Sequence, residues 1–454
     1  MGEALVAIER MCYGGAGFGR VAGKACFVPL TAPGDQARIR VVKEKRSYLE
    51  GELLELTAAS PLRVEPPCPL FGACGGCNWQ HLPYEEQLKQ KGEIFAGSLS
   101  RIGRVQSDIL LPVAPSANRF GYRSRIQLKL GTAKGAPALG FFRSGSHQVI
   151  DLAAGCAIAH PLLNRIALEF RPLLAGLADL EAIPQIDLAM GDDGQSVAVV
   201  HFTGKSPARL IERLLALRSA LPSVSGLFVR SGAKARIDRV FGVDALSYSI
   251  PAGLFPGSRQ MRLRFGRGGF SQVNYPQNLE LIRTVWQWGG FTGSERVLDL
   301  YCGNGNISVP IAPHVAELVG VEGYAPSIDD ALANAVANGV GNASFLVSDA
   351  LLAVRRFAEK GERFDLVILD PPRAGVEAAG EIAGLCPEKI IYVSCDPATL
   401  SRDLALLCDR GYRVTRSRPL DMFPQTYHLE SVTELTRIKP HTLPLAPLSA
   451  DAET

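Results

Sequence analysis

The stretch that decides the fold is RVLDLYCGNGNISVPIA, residues 296–312, in which an apolar strand leads into a glycine-rich turn and then an apolar helix. Gly303 and Gly305 allow the backbone to approach a ligand closely. From about residue 268 onward, further apolar strands alternate with helical segments, as in KIIYVSC followed by TLSRDLALLCDRG. This alternation predicts an α/β, Rossmann-like domain built on a doubly wound parallel sheet.

The glycine-rich turn lacks the third glycine of the pyrophosphate-binding fingerprint, because it reads G-N-G-N-I. This difference favours a nucleoside ligand without phosphates over a dinucleotide. Glu322 ends the next strand, where a carboxylate can accept hydrogen bonds from ribose hydroxyls. Asp349 and Asp370 end two further strands, and we expect them near an adenine amino group and near the reacting centre. One such acid is often only a helix cap, but three in succession predict S-adenosylmethionine as the cofactor.

A cysteine stands at the mouth of another strand, in IYVSCDPATL at residues 391–400. Cys395 could be a small apolar plug, since cysteine is among the residues most often buried. It could instead be a nucleophile, since substrates of open α/β sheets lie at the carboxyl ends of the strands. If it is a nucleophile, we expect a partly exposed, polar site.

The 454-residue length predicts several domains. We divide the chain into a small β-barrel over 1–60, a central α+β domain over 61–265, the α/β domain over 266–440 and a tail over 441–454. The first segment contains short strands between the turns YGGAGFG and TAPGD, which is typical of a barrel of oligonucleotide-binding (OB) type. No apolar run is long enough to span a bilayer, and we expect a cytoplasmic monomer without membrane contact.

The net charge of +3 hides an asymmetry, because residues 61–267 carry +10 and residues 268–454 carry −8. A basic segment beside an acidic one favours a polyanion held by one part of the chain and chemistry performed by another. The run RFGYRSRIQLK interleaves cations with aromatic residues, as a nucleic-acid-binding face would, although a solvated strand edge is the alternative. Its cations are Arg119, Arg123, Arg125 and Lys129.

Three cysteines are clustered in CPLFGACGGC, where Cys68, Cys74 and Cys77 have C-x5-C-x2-C spacing. A cluster of this kind predicts a metal site in a chain without a small disulfide framework. Three thiolates need a fourth ligand, and Cys156 is the candidate for a four-cysteine site. His81 would instead complete a zinc site, and the spacing alone leaves zinc and iron–sulfur open.

Taken together, these motifs resemble those of the TRAM-domain RNA uracil-5-methyltransferases, most closely the members of that family that act on bacterial 23S ribosomal RNA. The barrel segment GGAGFGRVAGKACFVPLTAPGD and the cysteine segment CPLFGACGGCNWQHLPYEEQLKQK carry part of the resemblance. The motifs FSQVN, DLYCGNGN, DPPRAG, SCDPATLSRD and DMFPQTYHLE carry the rest.

The resemblance implies methyl transfer from S-adenosylmethionine to carbon 5 of a uridine in 23S ribosomal RNA, with transfer RNA as the alternative substrate. It implies that Cys395 is a nucleophile that bonds covalently to uracil and that Glu430 is the general base. It implies cofactor contacts by Gln272, Tyr301, Asn306, Glu322, Asp349 and Asp370. It also implies a 4Fe-4S cluster, and hence an iron–sulfur central domain, held by Cys68, Cys74, Cys77 and Cys156.

Several alternatives stay open on the residues alone. Glu430 could be an ordinary exposed strand carboxylate, with His428 as the base, and Phe270 and Tyr301 could stack on a ligand or simply pack in the core. An amino-group methyltransferase using the DPPR motif would not need Cys395 and Glu430 together. An RNA-binding factor without activity is a further possibility, which the intact motifs disfavour.

Overall fold

The computed structural model describes residues 2–103, 105–133, 135–174, 180–232, 236–266, 269 and 271–438. These ranges form a closed barrel, two seven-stranded sheets and a two-stranded hairpin. Phe270 and the tail predicted over 441–454 lie outside the described residues. Among the described helices, none combines the length and the apolar character that crossing a membrane would require.

The N-terminal barrel was predicted from its short strands and glycine-rich turns. Its strands are β1 (Glu3–Met11), β2 (Gly17–Val21), β3 (Lys24–Val28), β4 (Gln36–Glu44) and β5 (Tyr48–Ala58). They close in the order β1-β2-β3-β5-β4. Val6 and Ile8 alternate with exposed neighbours and meet Val28 and Ile39 in the barrel core, as the two-residue period of a strand requires.

Helix α1 (Tyr84–Arg101) connects the barrel to the rest of the molecule. Acidic residues in its first turn and Arg101 in its last turn complement the helix dipole. Its residue Ile94 packs with Met11 of the barrel and with Trp79, whereas Phe95 packs against the C-terminal sheet. The helix therefore contacts two structural units at once.

The central part of the chain is a mixed sheet with two helices. Its strands are β6 (Arg125–Ala133), β7 (Ala136–Phe142), β8 (Val149–Asp151), β9 (Gln185–Met190), β10 (Ser196–Phe202), β11 (Gly226–Ser231) and β12 (Arg236–Gly242). They lie in the order β12-β11-β10-β9-β6-β7-β8 and are covered by α2 (Pro161–Leu174) and α3 (Pro207–Ala216). A hairpin of β13 (Ala245–Ile250) and β14 (Met261–Gly266) follows.

The C-terminal sheet is the predicted α/β unit. Its strands are β15 (Arg296–Leu300), β16 (Glu317–Glu322), β17 (Ala343–Val347), β18 (Leu366–Leu369), β19 (Lys389–Ser394), β20 (Tyr412–Leu420) and β21 (Glu430–Arg437). Its helices are α4 (Tyr275–Gly289), α5 (Ser308–Ile311), α6 (Ala325–Ala337), α7 (Ala350–Glu359), α8 (Ala379–Gly384) and α9 (Pro397–Cys408). Apolar clusters on both faces explain why the central strands are buried throughout.

Two details of this sheet differ from the prediction. The order is β17-β16-β15-β18-β19-β21-β20, and β21 runs antiparallel to both of its neighbours, so the sheet is not wholly parallel. The apolar helix expected after the glycine-rich turn is only the single turn α5, continued by a 3-10 turn over Ala312–His314. Pro310 and Pro313 explain its shortness, because proline has no backbone N–H for the helix.

A fully buried ion pair joins α1 to the segment between β20 and β21. The Lys91 ammonium donates to the Asp421 carboxylate and to the Phe423 carbonyl, the latter at 3.0 Å. Both charged side chains are 0% exposed. Burial lowers the pKa of Lys91, and the Asp421 carboxylate opposes that shift. The two charged groups therefore neutralise each other at a position that water does not reach.

We predict that Lys91→Met destabilises the fold by about 3–5 kcal/mol, because it leaves the Asp421 carboxylate buried without its counter-ion. The free energy of unfolding, measured by urea denaturation, tests this. The exposed Lys89, on the same helix, provides the control Lys89→Met, which we expect to change stability by less than about 0.5 kcal/mol. The double variant Lys91→Met/Asp421→Leu should be more stable than Lys91→Met alone; equal or lower stability would contradict this interpretation.

Candidate active site

The predicted reactive residues meet at the carboxyl edge of the C-terminal sheet. Asp370 follows β18 and Cys395 follows β19, on neighbouring parallel strands. Glu430 begins the antiparallel strand β21, whose Ser431 lies opposite Ser394. This register brings Glu430 beside the residue that follows Ser394, which is Cys395. The antiparallel direction of β21, absent from the prediction, is what places the two side chains together.

The Cys395 thiol lies in a half-buried, charged environment, and its role as a nucleophile stays a prediction. Burial raises the pKa of Cys395 to about 11, and the nearby Glu430 and Asp370 carboxylates add to that rise. The Arg373 guanidinium lowers the thiol pKa by its positive charge and by a hydrogen bond. The thiol is therefore held between acids that oppose its ionisation and one cation that favours it.

Glu430 is not an exposed strand carboxylate, because it is only 4% exposed. Burial raises its pKa well above the usual range, the Asp370 carboxylate raises it further, and Arg373 opposes the shift. Burial and the charge of Glu322 raise the pKa of Asp370 to about 7. Burial and mutual repulsion therefore make Asp370 and Glu430 hold their protons more readily than free carboxyls do.

His428, the alternative base, has a different environment. Its Nδ1 lies 3.5 Å from the Arg373 guanidinium, and its ring contacts Tyr427 with 4.1 Å between centroids and a tilt of 37°. Burial and the positive charge of Arg373 lower the pKa of His428 to about 4. The imidazole is therefore neutral at pH 7.

The glycine-rich turn after β15 has two residues with left-handed backbone conformation, with φ of 54° at Gly303 and 66° at Tyr301. This conformation is readily adopted by glycine and is uncommon for tyrosine. Glu322 accepts hydrogen bonds from the Gly303 N–H at 3.3 Å and the Tyr324 N–H at 2.8 Å. A side chain added at Gly303 would have nothing within 4 Å, so the space in front of this turn is open. Asp299, on β15 beneath the turn, has a buried carboxylate oxygen without a hydrogen-bond partner.

Asp349 and Tyr301 lie on the same side of the sheet. Asp349 is exposed and caps α7, since its carboxylate accepts from the Leu352 N–H at 3.1 Å. The cap interpretation weighed for a lone acid therefore applies to it. The Tyr301 ring is half-buried, and burial together with the negative charges of Asp349 and neighbouring acids raises its pKa to about 12. Tyr301 also packs against the core, which agrees with the core-packing alternative, and stacking on a ligand stays a prediction.

Gln272 and Asn306 are brought together through shared neighbours. Asn306 accepts from the Tyr248 hydroxyl at 2.9 Å and exchanges two hydrogen bonds with Asn278. Gln272 lines a cavity of about 250 Å³ whose wall also includes Tyr248 and Asn278. The hairpin and α4 thus connect two residues that are 34 positions apart in the sequence.

The four predicted cysteines, Cys68, Cys74, Cys77 and Cys156, line one cavity of about 550 Å³. The described ranges nevertheless contain no group of three or more Cys, His, Asp or Glu side chains arranged to hold a metal ion. The cavity wall does not include His81. The His81 ring instead lies 3.0 Å from the Thr31 carbonyl. The alternative Cys3His zinc site, with His81 as its histidine, is therefore not formed among the described residues.

The predicted basic face is only partly a surface. Arg119 is exposed and pairs with Glu85 at 2.8 Å. Arg123 and Arg125 instead line the cysteine cavity, and the Arg123 Nε is buried without a hydrogen-bond partner. Arg125 and Lys129 lie on β6, which is inside the sheet between β9 and β7, so the alternative of a solvated strand edge does not describe them, and the nucleic-acid-binding face stays a prediction.

Comparison with known proteins agrees with this geometry. Residues 243–438 match the family model described as tRNA (Uracil-5-)-methyltransferase, and residues 3–54 match the TRAM domain. The 23S rRNA (uracil(1939)-C(5))-methyltransferase of Pseudomonas aeruginosa is 37% identical over 430 residues, which are 94% of this chain and 92% of that protein. The chain belongs to the RNA uracil-5-methyltransferase family.

Two further relatives of this methyltransferase extend the comparison. An uncharacterized RNA methyltransferase of Thermosynechococcus vestitus is 35% identical and covers 94% of this chain, with 97% of its own length matched. The crystal structure of the Pyrococcus abyssi tRNA (uracil-54, C5)-methyltransferase, in complex with S-adenosyl-L-homocysteine, superposes with a TM-score of 0.73. It is 25% identical and covers 95% of this chain and 99% of its own. The C-terminal sheet thus has the fold of S-adenosylmethionine-dependent methyltransferases.

Arg373 is a residue of the methyltransferase site that the sequence analysis missed. Its guanidinium lies beside Cys395 and His428 in the structure. The available signal was its position, since it follows a strand end and a Pro-Pro pair that turns the chain toward the sheet edge.

We predict that Arg373→Met slows alkylation of Cys395 by iodoacetamide about tenfold at pH 8, because the thiol pKa rises when its neighbouring cation is removed. The rate at this cysteine is followed by peptide mass spectrometry over a pH series. Arg413→Met, at an exposed position of β20, is the matched control. An unchanged pH profile in Arg373→Met would show that the guanidinium does not act on the thiol.

Proposed function

We propose that this enzyme transfers a methyl group from S-adenosylmethionine to carbon 5 of a specific uridine in 23S ribosomal RNA through a covalent cysteine–uracil intermediate. The observation that carries the proposal is the pairing of a half-buried Cys395 with a buried Glu430 at one sheet edge, beside the open glycine-rich turn. An amino-group methyltransferase would need neither residue in this arrangement.

Cys395 solves the chemical problem that carbon 5 of uracil is a poor nucleophile. Its thiolate adds to carbon 6, which converts the ring to an enolate and makes carbon 5 electron-rich. S-adenosylmethionine, when bound, supplies the methyl group to carbon 5. Glu430 then takes the proton from carbon 5, the electron pair returns to the ring, and the bond between sulfur and carbon 6 breaks. Covalent catalysis in this way divides one difficult step into easier ones.

The raised pKa values show that a positive charge bound in this site would favour ionisation of its thiol and carboxyl groups. Cys395, Asp370 and Glu430 all have raised pKa values, and Arg373 is the one cation that acts on both Cys395 and Glu430 among their named neighbours. A cationic ligand in the cleft lowers these values and favours both the thiolate and an ionised base. The site is therefore suited to ionise its nucleophile and base together with ligand binding.

The residues of the glycine-rich turn fit S-adenosylmethionine, which carries a positive sulfonium and no phosphates. Gly303 leaves open space, and Glu322 and Asp349 supply carboxylates at successive strand ends. The orphaned oxygen of Asp299 adds an unused acceptor beneath the turn. We propose that Gln272, Tyr301, Asn306, Glu322, Asp349 and Asp370 contact this cofactor or its surroundings.

The choice of ribosomal over transfer RNA rests on similarity along the whole chain. The Pseudomonas relative named for 23S rRNA is 37% identical, whereas the Pyrococcus relative named for tRNA is 25% identical. The barrel does not discriminate, because both comparisons extend over almost the whole chain. We propose that the barrel and the basic central segment hold the RNA, with the target base flipped out of a loop, where unstacking costs least.

We propose further that the four-cysteine cavity holds a 4Fe-4S cluster with a structural role. A single zinc ion needs ligands converging to about 2.3 Å from the metal, whereas a cluster is larger and is bound by four thiolates around its outside. Cys68, Cys74, Cys77 and Cys156 line one cavity whose wall does not include His81, which is the observation that supports four thiolates as the ligands. Methyl transfer involves no net electron transfer, so the cluster is not needed for the chemistry itself.

We expect the wild-type enzyme to transfer tritiated methyl from S-adenosylmethionine to carbon 5 of uracil in unmodified 23S ribosomal RNA and not in transfer RNA. Cys395→Ala should give no label, because no covalent adduct forms. Glu430→Gln should accumulate a protein–RNA adduct that survives SDS electrophoresis, because the carbon 5 proton is not removed. Cys386→Ala, at an exposed cysteine, is the control and should behave as wild type.

The outcomes separate the parts of this proposal. Label in transfer RNA alone would move the enzyme to the alternative substrate. Full turnover by Glu430→Gln would exclude Glu430 as the base, and full turnover by Cys395→Ala would exclude the covalent route. Absence of label in either RNA, with folded protein, would favour a binding factor without activity.

For the cluster, we predict about four iron and four sulfide per chain after anaerobic purification, with visible absorbance that Cys156→Ser abolishes. Metal analysis and the absorbance spectrum measure this without reference to activity. The exposed Cys386 again provides a matched control, Cys386→Ser, which should retain the cluster. Stoichiometric zinc without iron in the wild-type protein would contradict the proposal.

A further inference from the structure

A turn of the N-terminal barrel reaches the site of the proposed nucleophile. Tyr13, in the glycine-rich turn between β1 and β2, donates from its hydroxyl to the Asp396 carboxylate at 2.8 Å. Asp396 is the residue directly after Cys395. The barrel thus makes a polar contact 383 positions away in the sequence, one residue from the proposed nucleophile.

Asp396 is held by both of its carboxylate oxygens. Its Oδ1 accepts from the Ala398 N–H at 3.0 Å and the Thr399 N–H at 2.9 Å, so it caps α9. Its Oδ2 accepts from Tyr13. Burial raises the pKa of Asp396, but the hydrogen bonds from Thr399 and Tyr13 outweigh it and leave that pKa below its usual value. The backbone that carries Cys395 is therefore fixed between a helix and the barrel.

The Tyr13 ring makes a second contact with the site. It meets Tyr427 edge-on, with 5.3 Å between centroids and an angle of 83° between planes. Tyr427 contacts the His428 ring, and His428 approaches Arg373, which acts on the thiol of Cys395. These contacts form a closed loop that includes Cys395, in which Tyr13 links Tyr427 to Asp396.

The barrel turn is packed and not free to move away. The Trp79 indole donates to the Gly15 carbonyl at 3.0 Å. A side chain added at Gly15 would lie 3.0 Å from both Asn78 and Tyr427, and Gly15 has φ of 90°. Glycine is therefore required here, because any other residue would push the turn away from the site.

We propose that Tyr13 is a positioning residue of the methyl-transfer site, which orients Cys395 by holding Asp396, so that the barrel forms one wall of the site as well as a surface for RNA. The expected effect on kcat rests on the proposed function, whereas the expected effect on the position and reactivity of Cys395 does not. Tyr13 is 37% exposed, so removal of its hydroxyl leaves no cavity in a buried core.

The test compares Tyr13→Phe with Tyr48→Phe, a barrel tyrosine whose ring packs on Phe27. Tyr13→Phe keeps the ring against Tyr427 and removes only the hydrogen bond to Asp396. Two quantities are measured: kcat and KM for methyl transfer, and the rate of Cys395 alkylation by iodoacetamide at pH 8 without RNA. We expect Tyr13→Phe to lower kcat about tenfold, with KM for RNA within about twofold of wild type.

Alkylation should also slow in Tyr13→Phe, because Asp396, one residue from Cys395, then lacks the hydrogen bond that offsets its negative charge. Tyr48→Phe should match wild type in both measurements. If Tyr13→Phe had the kcat and the alkylation rate of wild type, the proposal would be overturned. A change in KM for RNA alone would also overturn it, because that result is expected if the barrel only binds RNA. If the wild-type enzyme methylates no uracil, the proposed function fails, and the alkylation rates still decide the role of Tyr13.

Discussion

The buried ion pair between Lys91 and Asp421 is the constraint on which the arrangement of the site depends. It is the first of several contacts that hold the segment of residues 421–425 to other parts of the chain. Four successive carbonyls of this segment, those of residues 421–424, accept hydrogen bonds from side chains elsewhere in the chain, which are in order Gln277, Asn274, Lys91 and Tyr122. The Gln425 N–H donates to the Gln87 side chain. These hydrogen bonds fix the position of a segment that has no regular secondary structure. Because it leads directly into β21, it determines where Tyr427, His428 and Glu430 lie.

The concentration of acids around Cys395 is the second organising feature. A thiol whose pKa is raised to about 11 is mostly protonated at neutral pH, which slows its reactions as a nucleophile. Arg373 partly compensates for this effect, and a sulfonium ligand would compensate further.

Separate parts of the fold contribute in different ways to this one cleft. The C-terminal sheet supplies the strand ends, the hairpin and α4 hold Asn306 through Tyr248 and Asn278, and the barrel reaches Asp396 through Tyr13. The cysteine cavity shares Ser271 with the smaller cavity that contains Gln272. A cluster in the first cavity would therefore stabilise the backbone beside a proposed cofactor contact, which is consistent with a structural role.

The amino-acid sequence by itself determined the α/β unit, the barrel and the glycine-rich turn, because strand and helix periodicity and glycine placement are local properties. It also indicated the four cysteines, which the structure brings to one cavity. Only the tertiary structure decided that β21 is antiparallel, that Glu430 is buried beside Cys395, that Arg373 faces the thiol and that Arg123 turns inward. These facts depend on sheet order, strand register and contacts between residues hundreds of positions apart, such as Lys91 with Asp421 and Tyr13 with Asp396. Local sequence pattern carries no information on such contacts, because they are set by the packing of whole units against one another.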